Sequence, residues 1–405
     1  MVIGLGSMIG AGVFSAFGPA AQAAGAGLLI GLVLAAVIAY CNATASAQLA
    51  AVYPTSGGTY IYGRERLGPW WGFLAGWGFV IGKTASCAAM ALTVASYTLG
   101  DPGTPEWVRR AVAVTAVIAL AALNYRGITK TAMLARILVA CTLIALAAVV
   151  VGIAVSNPAP SHLINGAWSA VTMYGVLQSA GLLFFAFAGY ARIATMGEEV
   201  RDPARTIPKA ITVALAIAVV VYLVVGVAAL LAAGPDRLAH ATAPLAEAVR
   251  AAGAAPLVPV VVVGGALASL GALLALIAGV GRTALAMARH RDLPGWLAAV
   301  HPRYQVPHHA ELALAVIVCV LVATVDLRGV IGFSSFGVLI YYAVANASAY
   351  TLPGRRRWAR VLNVCGALGC LVLVATLPWM AVVVGLGVFA VGVAGRALAR
   401  GSSER

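Results

Sequence analysis

Lys83 is the side chain in this sequence best placed to do chemistry away from water. It stands in GWGFVIGKTASCAAMAL, residues 76–92, with apolar residues on both sides. An ammonium in such a run has three uses. It can bond backbone carbonyls as a structural cation, take up and release a proton, or pair with a carboxylate carried by a solute. The residues leave all three open. Lys83 lies thirteen positions after Trp70, where its apolar run begins. At 1.5 Å per residue that is about 20 Å along a helix, near the middle of a bilayer.

Glycine offers a second kind of chemistry. GLGSMIGAGVFSAFGPA, residues 4–20, places Gly4, Gly6, Gly10, Gly12 and Gly18 ahead of Pro19. Each glycine costs about 1 kcal/mol relative to alanine inside a helix. One use is close packing of helices through small residues. The other is a stretch unwound at mid-depth, where freed backbone groups must line a polar cavity and a half-helix start attracts a carboxylate. GLLFFAFAGYARIATMGEEVRDPARTIPKAI, from residue 181, repeats the theme with Gly189 among Phe184, Phe185, Phe187 and Tyr190.

The elements that must hold these residues follow from composition. Of the 405 residues, 62% are hydrophobic and 9% charged, where a soluble domain is about a quarter charged. Apolar runs long enough to cross a bilayer recur along the chain, and the short alternating segments of a barrel are missing. The fold class expected is an all-α polytopic membrane protein with about twelve spans. Their limits are 1–22, 26–51, 70–99, 107–124, 132–155, 172–196, 208–233, 256–288, 310–326, 330–352, 360–377 and 379–398. Interruptions in the first and sixth spans predict a five-plus-five inverted repeat. The expected division is a ten-helix core over 1–352 and two additional helices with a short tail over 353–405.

Charge gives the orientation. With the N-terminus inside, nineteen of the 26 basic residues fall on the cytoplasmic side. Five, Arg109, Arg110, Arg237, Arg250 and Arg328, fall outside, and Lys83 and Arg192 lie within spans. Basic residues favour cytoplasmic loops, so both termini are expected in the cytoplasm of a plasma-membrane protein, and the net charge of +14 needs no nucleic acid. RRRWAR at 355–360 then reads as a stop signal and lipid-headgroup contact. All twelve carboxylates and all six histidines fall in loops or at span ends, which leaves Lys83 as the conventional acid–base group near mid-depth; Arg192 stays protonated. The six cysteines lie in apolar runs and read as packing residues. No basic leader precedes the first run, and only nine residues precede Gly10, which leaves two readings: a true start upstream of this Met1, or an unusually short first half-helix.

The chain resembles the amino-acid permeases of the amino acid–polyamine–organocation superfamily, nearest to the cationic amino-acid and basic amino-acid–polyamine permeases. The pieces that carry the resemblance are GSMIGAGVF around 7–14, YPTSGGTYIYGRERLGPWWGFLAGW at 53–77, NYRGITKTA at 124–132, FFAFAGYARIATMGEEVRDPARTIPKAI at 184–211 and GRTALAMARHRDLP at 281–294. They cover spans one to ten. The resemblance implies that backbone N–H groups of Gly10, Ala11 and Gly12 bind a substrate carboxylate. It implies that carbonyls of Met8, Phe185 and Ala188 take the amino group, and that Phe185, four residues before Gly189, caps the site. SGGTY at 56–60 and EEVRDP at 198–203 resemble the cytoplasmic gate and loop, and both also read as helix-capping turns. Two positions depart from the family: Ala191 and Thr142 stand where relatives often carry an acidic residue and, in some proton-coupled members, a lysine.

The expectation is a secondary transporter of amino acids or related amines working by symport or exchange, with a proton or sodium as coupling ion and no other cofactor. Lys83 is the proton candidate; Thr142 and Ser269 are candidates for sodium, although a lone hydroxyl in a membrane helix usually bonds its own backbone. The expected partners are a small amino acid or amine and the lipid bilayer. A transporter-like sensor that binds without turnover and a channel are the rival readings. An enzyme is disfavoured, since no His/carboxylate or Cys/His constellation lies near mid-depth.

Overall fold

A computed structural model describes residues 2–54, 57–100, 103–127, 132–156, 168, 171–194, 200, 202–353 and 357–401. Among them the secondary structure is entirely helical. In chain order the helices are α1 (Val2–Met8), α2 (Ala11–Ser15), α3 (Phe17–Ala24), α4 (Leu28–Val52), α5 (Thr59–Leu67), α6 (Pro69–Thr98), α7 (Glu106–Tyr125) and α8 (Ala132–Val155). They continue as α9 (Met173–Phe187), α10 (Ala191–Ala194), α11 (Pro203–His240), α12 (Pro244–Ala251), α13 (Val258–Arg289), α14 (His308–Thr324), α15 (Leu327–Tyr350), α16 (Arg357–Thr376) and α17 (Trp379–Gly401).

Nine of the described helices are long and apolar enough to cross a membrane; Gly4–Ser15 and His308–Thr324 are apolar but shorter. Helix α7 opens with Glu106, Arg109 and Arg110, which lowers its hydropathy. The apolar outer face is what lipid requires: Ile144, Val151, Val220, Val263, Val316 and Leu386 are exposed. Lipid tails are as apolar as leucine, so burial of apolar area does not press these helices together. Close approach through small residues does. A Cβ on Gly78 would lie 2.7 Å from the Gly337 carbonyl oxygen, and one on Gly82 3.0 Å from that of Ser334. Helix α6 is thus pressed backbone to backbone against α15, where the Ser86 and Ser334 hydroxyls meet at 2.7 Å. A polar tie adds a second link: Asn346 Nδ2 donates to Asn42 Oδ1 at 2.6 Å, and Cys370 Sγ lies beside the same Asn42. It joins α4, α15 and α16.

Two predicted limits shift, for stated reasons. The seventh span, expected over 208–233, begins at Pro203 and runs through Pro208 to His240, with Gly234 at φ 71° interrupting it just before Pro235. Only glycine takes that backbone angle without strain. The short helices α5 and α12 are absent from the expected spans. Both are loop helices that bury one face, α12 through Leu245, Ala248 and Val249.

Candidate functional site

Helix one breaks where the glycines are densest. α1 ends at Met8, Ile9 and Gly10 leave the helix, Gly10 takes φ −98° and ψ −140°, and α2 restarts at Ala11. The N–H groups that open a helix lack intrahelical partners, so Gly10, Ala11 and Gly12 present backbone donors at this point. The sixth expected span behaves differently from an unwound break. α9 passes at Phe187 into a 3-10 turn, Ala188–Tyr190, and then into α10. The turn tightens the backbone and keeps its hydrogen bonding.

The two interruptions touch. A Cβ on Gly189 would overlap the Ser7 carbonyl oxygen, and one on Gly12 would lie 2.5 Å from Ala186 Cα. Only glycine permits either approach. Gly10 is held in turn against Ala272 of α13. Tyr222 Oη reaches the Met8 carbonyl on one side and the Ala186 carbonyl at 3.0 Å on the other; one hydroxyl proton serves one of them at a time. Aromatic contacts surround the turn: Phe187 packs on Tyr222 and Tyr190 on Tyr342, both with ring centroids 5.0 Å apart. Phe185 is buried in the same segment.

Lys83 enters from α6. Its side chain is 4% exposed, and Nζ donates to the Ala188 carbonyl at 3.0 Å. The Tyr342 hydroxyl approaches the same oxygen at 3.5 Å. The contact is of the structural kind, an ammonium on a carbonyl of an interrupted helix. The structure therefore brings together Met8, Gly10, Ala11, Gly12, Ala188, Gly189 and Lys83. Two carbonyls that the resemblance assigns to a substrate amine, Met8 and Ala188, already face donors of the protein.

Thr142 borders the first interruption, since Ser7 and Ile9 line the same small cavity, and Ser269 does not line it. Thr142 lines a water-sized cavity of about 50 Å³ with Gly6, Ser7, Leu138, Ala268 and Ala272. Its hydroxyl donates to Leu138 O at 2.8 Å, and Ser269 donates to Gly265 O at 2.7 Å without lining that cavity. The Arg192 side chain, Glu198 and Glu199 lie outside the described residues, as do parts of the SGGTY, EEVRDP and RRRWAR segments.

The ends of the bundle hold polar features that sequence reasoning missed. At one end Asp292 is buried among three donors. Tyr60 Oη and Arg64 Nη1 reach Oδ2 at 2.8 Å, and Arg396 Nε and Nη2 reach Oδ1 at 2.8 Å. Arg396 is sandwiched by Trp70 and Phe73, 4.4 and 4.7 Å from the ring centroids. Burial, then the Asp292 charge and hydrogen bond, raise the Tyr60 phenol well above its usual range. Arg66 adds a contact to the Thr351 carbonyl. The residues GRERLGP and HRDLP were visible as motifs, but nothing in their spacing signals Arg396 as the partner.

At the other end two cavities open, of about 950 and 300 Å³. Arg109, His240, Ala241 and Thr242 line both; Arg237, Arg250 and Glu247 line the larger, and Glu106, Arg110 and Arg328 the smaller. Tyr97 closes the larger at its base. Its hydroxyl donates to Phe14 O at 2.7 Å and accepts from Leu245 N at 3.3 Å, and its ring meets Phe14 edge to face. Phe14 of α2, two residues after Gly12, therefore packs against Tyr97 on the cavity wall.

A family model described as amino acid permease matches residues 1–392. The chain is similar to an uncharacterized transporter of Mycobacterium tuberculosis, 61% identical over 398 residues, which is 97% of this chain and 88% of that one. It is similar at 25% identity over 423 residues to the branched-chain amino acid permease BcaP of Bacillus subtilis, covering 94% and 87% of the two chains. Cationic amino acid transporter 4 of Homo sapiens is 27% identical over 374 residues, 87% of this chain and 58% of the relative. An all-helical chain with this many membrane-length apolar helices, matched along nearly its whole length, belongs to the amino acid permease family, within the amino acid–polyamine–organocation superfamily.

Proposed function

We propose that the protein is a secondary transporter that carries amino acids or related amines across the plasma membrane by alternating access. Both termini lie in the cytoplasm in this reading, twelve spans cross the membrane, and the first ten form an inverted repeat. The observation that carries it is the contact of the two interruptions, Ser7–Gly12 against Ala186–Gly189, with the Lys83 ammonium seated on the Ala188 carbonyl. Relatives named for branched-chain and cationic amino acids support an amino-acid cargo.

The arrangement suggests how cargo and coupling ion meet. A substrate amine that takes the Ala188 carbonyl competes with Lys83 for one acceptor, and two ammonium groups on one oxygen repel. Occupancy is thereby linked to the position and charge of Lys83, which favours a proton as the coupling ion. The sodium reading keeps Thr142 and Ser269 as ligands: each hydroxyl donates its proton within its own helix and leaves its oxygen lone pairs for a cation, and Thr142 lines the small cavity beside the first interruption. Amides of Gly10, Ala11 and Gly12 would receive the carboxylate and Phe185 would cap the site.

Counterflow in proteoliposomes tests the class. Saturable, stereoselective exchange of labelled amino acid is expected; binding without exchange supports a sensor, and unsaturable flux a channel. For the coupling, Lys83→Ala protein is expected to keep counterflow but lose uptake driven by a pH gradient. Uptake that still follows the gradient would falsify the role of Lys83.

A further inference from the structure

All five arginines that the charge pattern places outside converge on one vestibule. Arg109, Arg237 and Arg250 line the cavity of about 950 Å³, and Arg109, Arg110 and Arg328 the adjoining one of about 300 Å³. Topology selects against basic residues on this side of a membrane protein, so their convergence calls for a local use. The carboxylates there do not cancel them: Glu106, Glu247 and Asp326 line the same cavities. Glu106 is taken by Arg110 at 2.5 Å, and Glu247 faces Arg250 at 3.7 Å. Asp326 Oδ1 caps the Gly329 N–H, and Arg328 is spent on Gln22 and the Ala239 carbonyl. His240 Nδ1 faces the Asp236 carbonyl. Arg109 and Arg237 form no ion pair among the described residues. Arg109 is shared by both cavities, and its Nε is buried without a hydrogen-bond partner.

We infer that this vestibule is a receiving site for anionic solutes, in which the Arg109 guanidinium takes a carboxylate of the incoming molecule before it passes Tyr97. The inference rests on the transporter reading and on its orientation, and it narrows the cargo to amino acids of net negative charge, the dicarboxylic ones. Guanidinium suits this role because it stays protonated, is weakly hydrated and presents a planar fork that fits a carboxylate. A cleft lined by an excess of one charge also concentrates the opposite charge from solution. The route continues inward, since Tyr97 stands on Phe14 of α2, and Lys83 is a further cation beyond it.

The test separates this inference from the transporter reading. Binding of glutamate, glutamine and arginine to purified protein is measured by thermal shift, and proteoliposome counterflow by label, each with wild type, Arg109→Gln and Arg109→Lys. Loss of one charge-assisted contact weakens glutamate about tenfold. Arg109→Gln is expected to do so while leaving glutamine within about twofold; Arg109→Lys is expected to retain most glutamate binding and to show that the fold tolerates change there. Raised salt should weaken glutamate more in wild type than in Arg109→Gln. Wild-type binding that does not favour glutamate over glutamine and arginine overturns the inference, as does an Arg109→Gln effect equal for all three. Glutamate binding with no counterflow instead overturns the transporter reading and leaves the anion site standing.

Discussion

At one end of the bundle Asp292 gathers a phenol and two guanidinium groups at 2.8 Å, and aromatic rings cover the result. At the other end five arginines stand around cavities of about 950 and 300 Å³, and the ion pairs among the described residues there are Arg110–Glu106 and the looser Arg250–Glu247. The residue types are the same, and the difference is hydration. Charges taken out of water hold a structure shut only when every one is answered, because the desolvation cost rivals the attraction. Charges left in contact with water hold little, and for that reason they can exchange partners with a passing solute. One end is built to be fastened and the other to receive.

Breaking the fastened end should cost most. Asp292→Ala takes the carboxylate away from the buried Arg396, and removal of one partner of a buried pair destabilises by about 3–5 kcal/mol; thermal melting in detergent should show a large fall, with Asp292→Asn falling less. The junction between the two ends comes next. Gly189→Ala places a methyl against the Ser7 carbonyl oxygen and 2.5 Å from the Met8 nitrogen, both backbone. Overpacking of this kind costs about 1–3 kcal/mol, so both melting temperature and uptake should drop. Gly395→Ala, which meets no atom within 4 Å, is the matched control and should change neither. The receiving end should yield least. Tyr97→Phe removes a hydroxyl shared by Phe14 O and Leu245 N, worth about 1 kcal/mol. Melting should fall less than in Gly189→Ala, and counterflow should stay within about twofold of wild type; a loss as large as that of Gly189→Ala would break this ranking.

What the sequence made legible was whatever rests on local pattern. Uncharged apolar runs marked the long helices, since a bilayer tolerates little else. The glycine cluster marked the first interruption, because helix cost accumulates along the chain itself. Gly189 marked the second, although its backbone tightens into a 3-10 turn where unwinding was expected. What stayed hidden depends on residues far apart meeting in space. The acceptor of Lys83 is a main-chain carbonyl 105 positions away, and no side-chain pattern announces a carbonyl. The five arginines that break the charge rule stand out in the sequence, yet only the fold shows them lining two cavities that share Arg109. Helix α12, eight residues with a buried face, was too short to stand out between two long apolar runs.

The distance between Asp292 and Arg396 has a consequence for how the protein is made. The two are 104 positions apart, and at about 5–20 residues per second the ribosome needs roughly 5–20 s to cover that interval. Tyr60 and Arg64 are already synthesised when Asp292 emerges, so the carboxylate first meets those two. The last helix then delivers Arg396 between Trp70 and Phe73 as a late keystone. Completion of this end of the molecule thus awaits insertion of α17, and a nascent chain stalled before it would keep Asp292 wet and its rings uncovered.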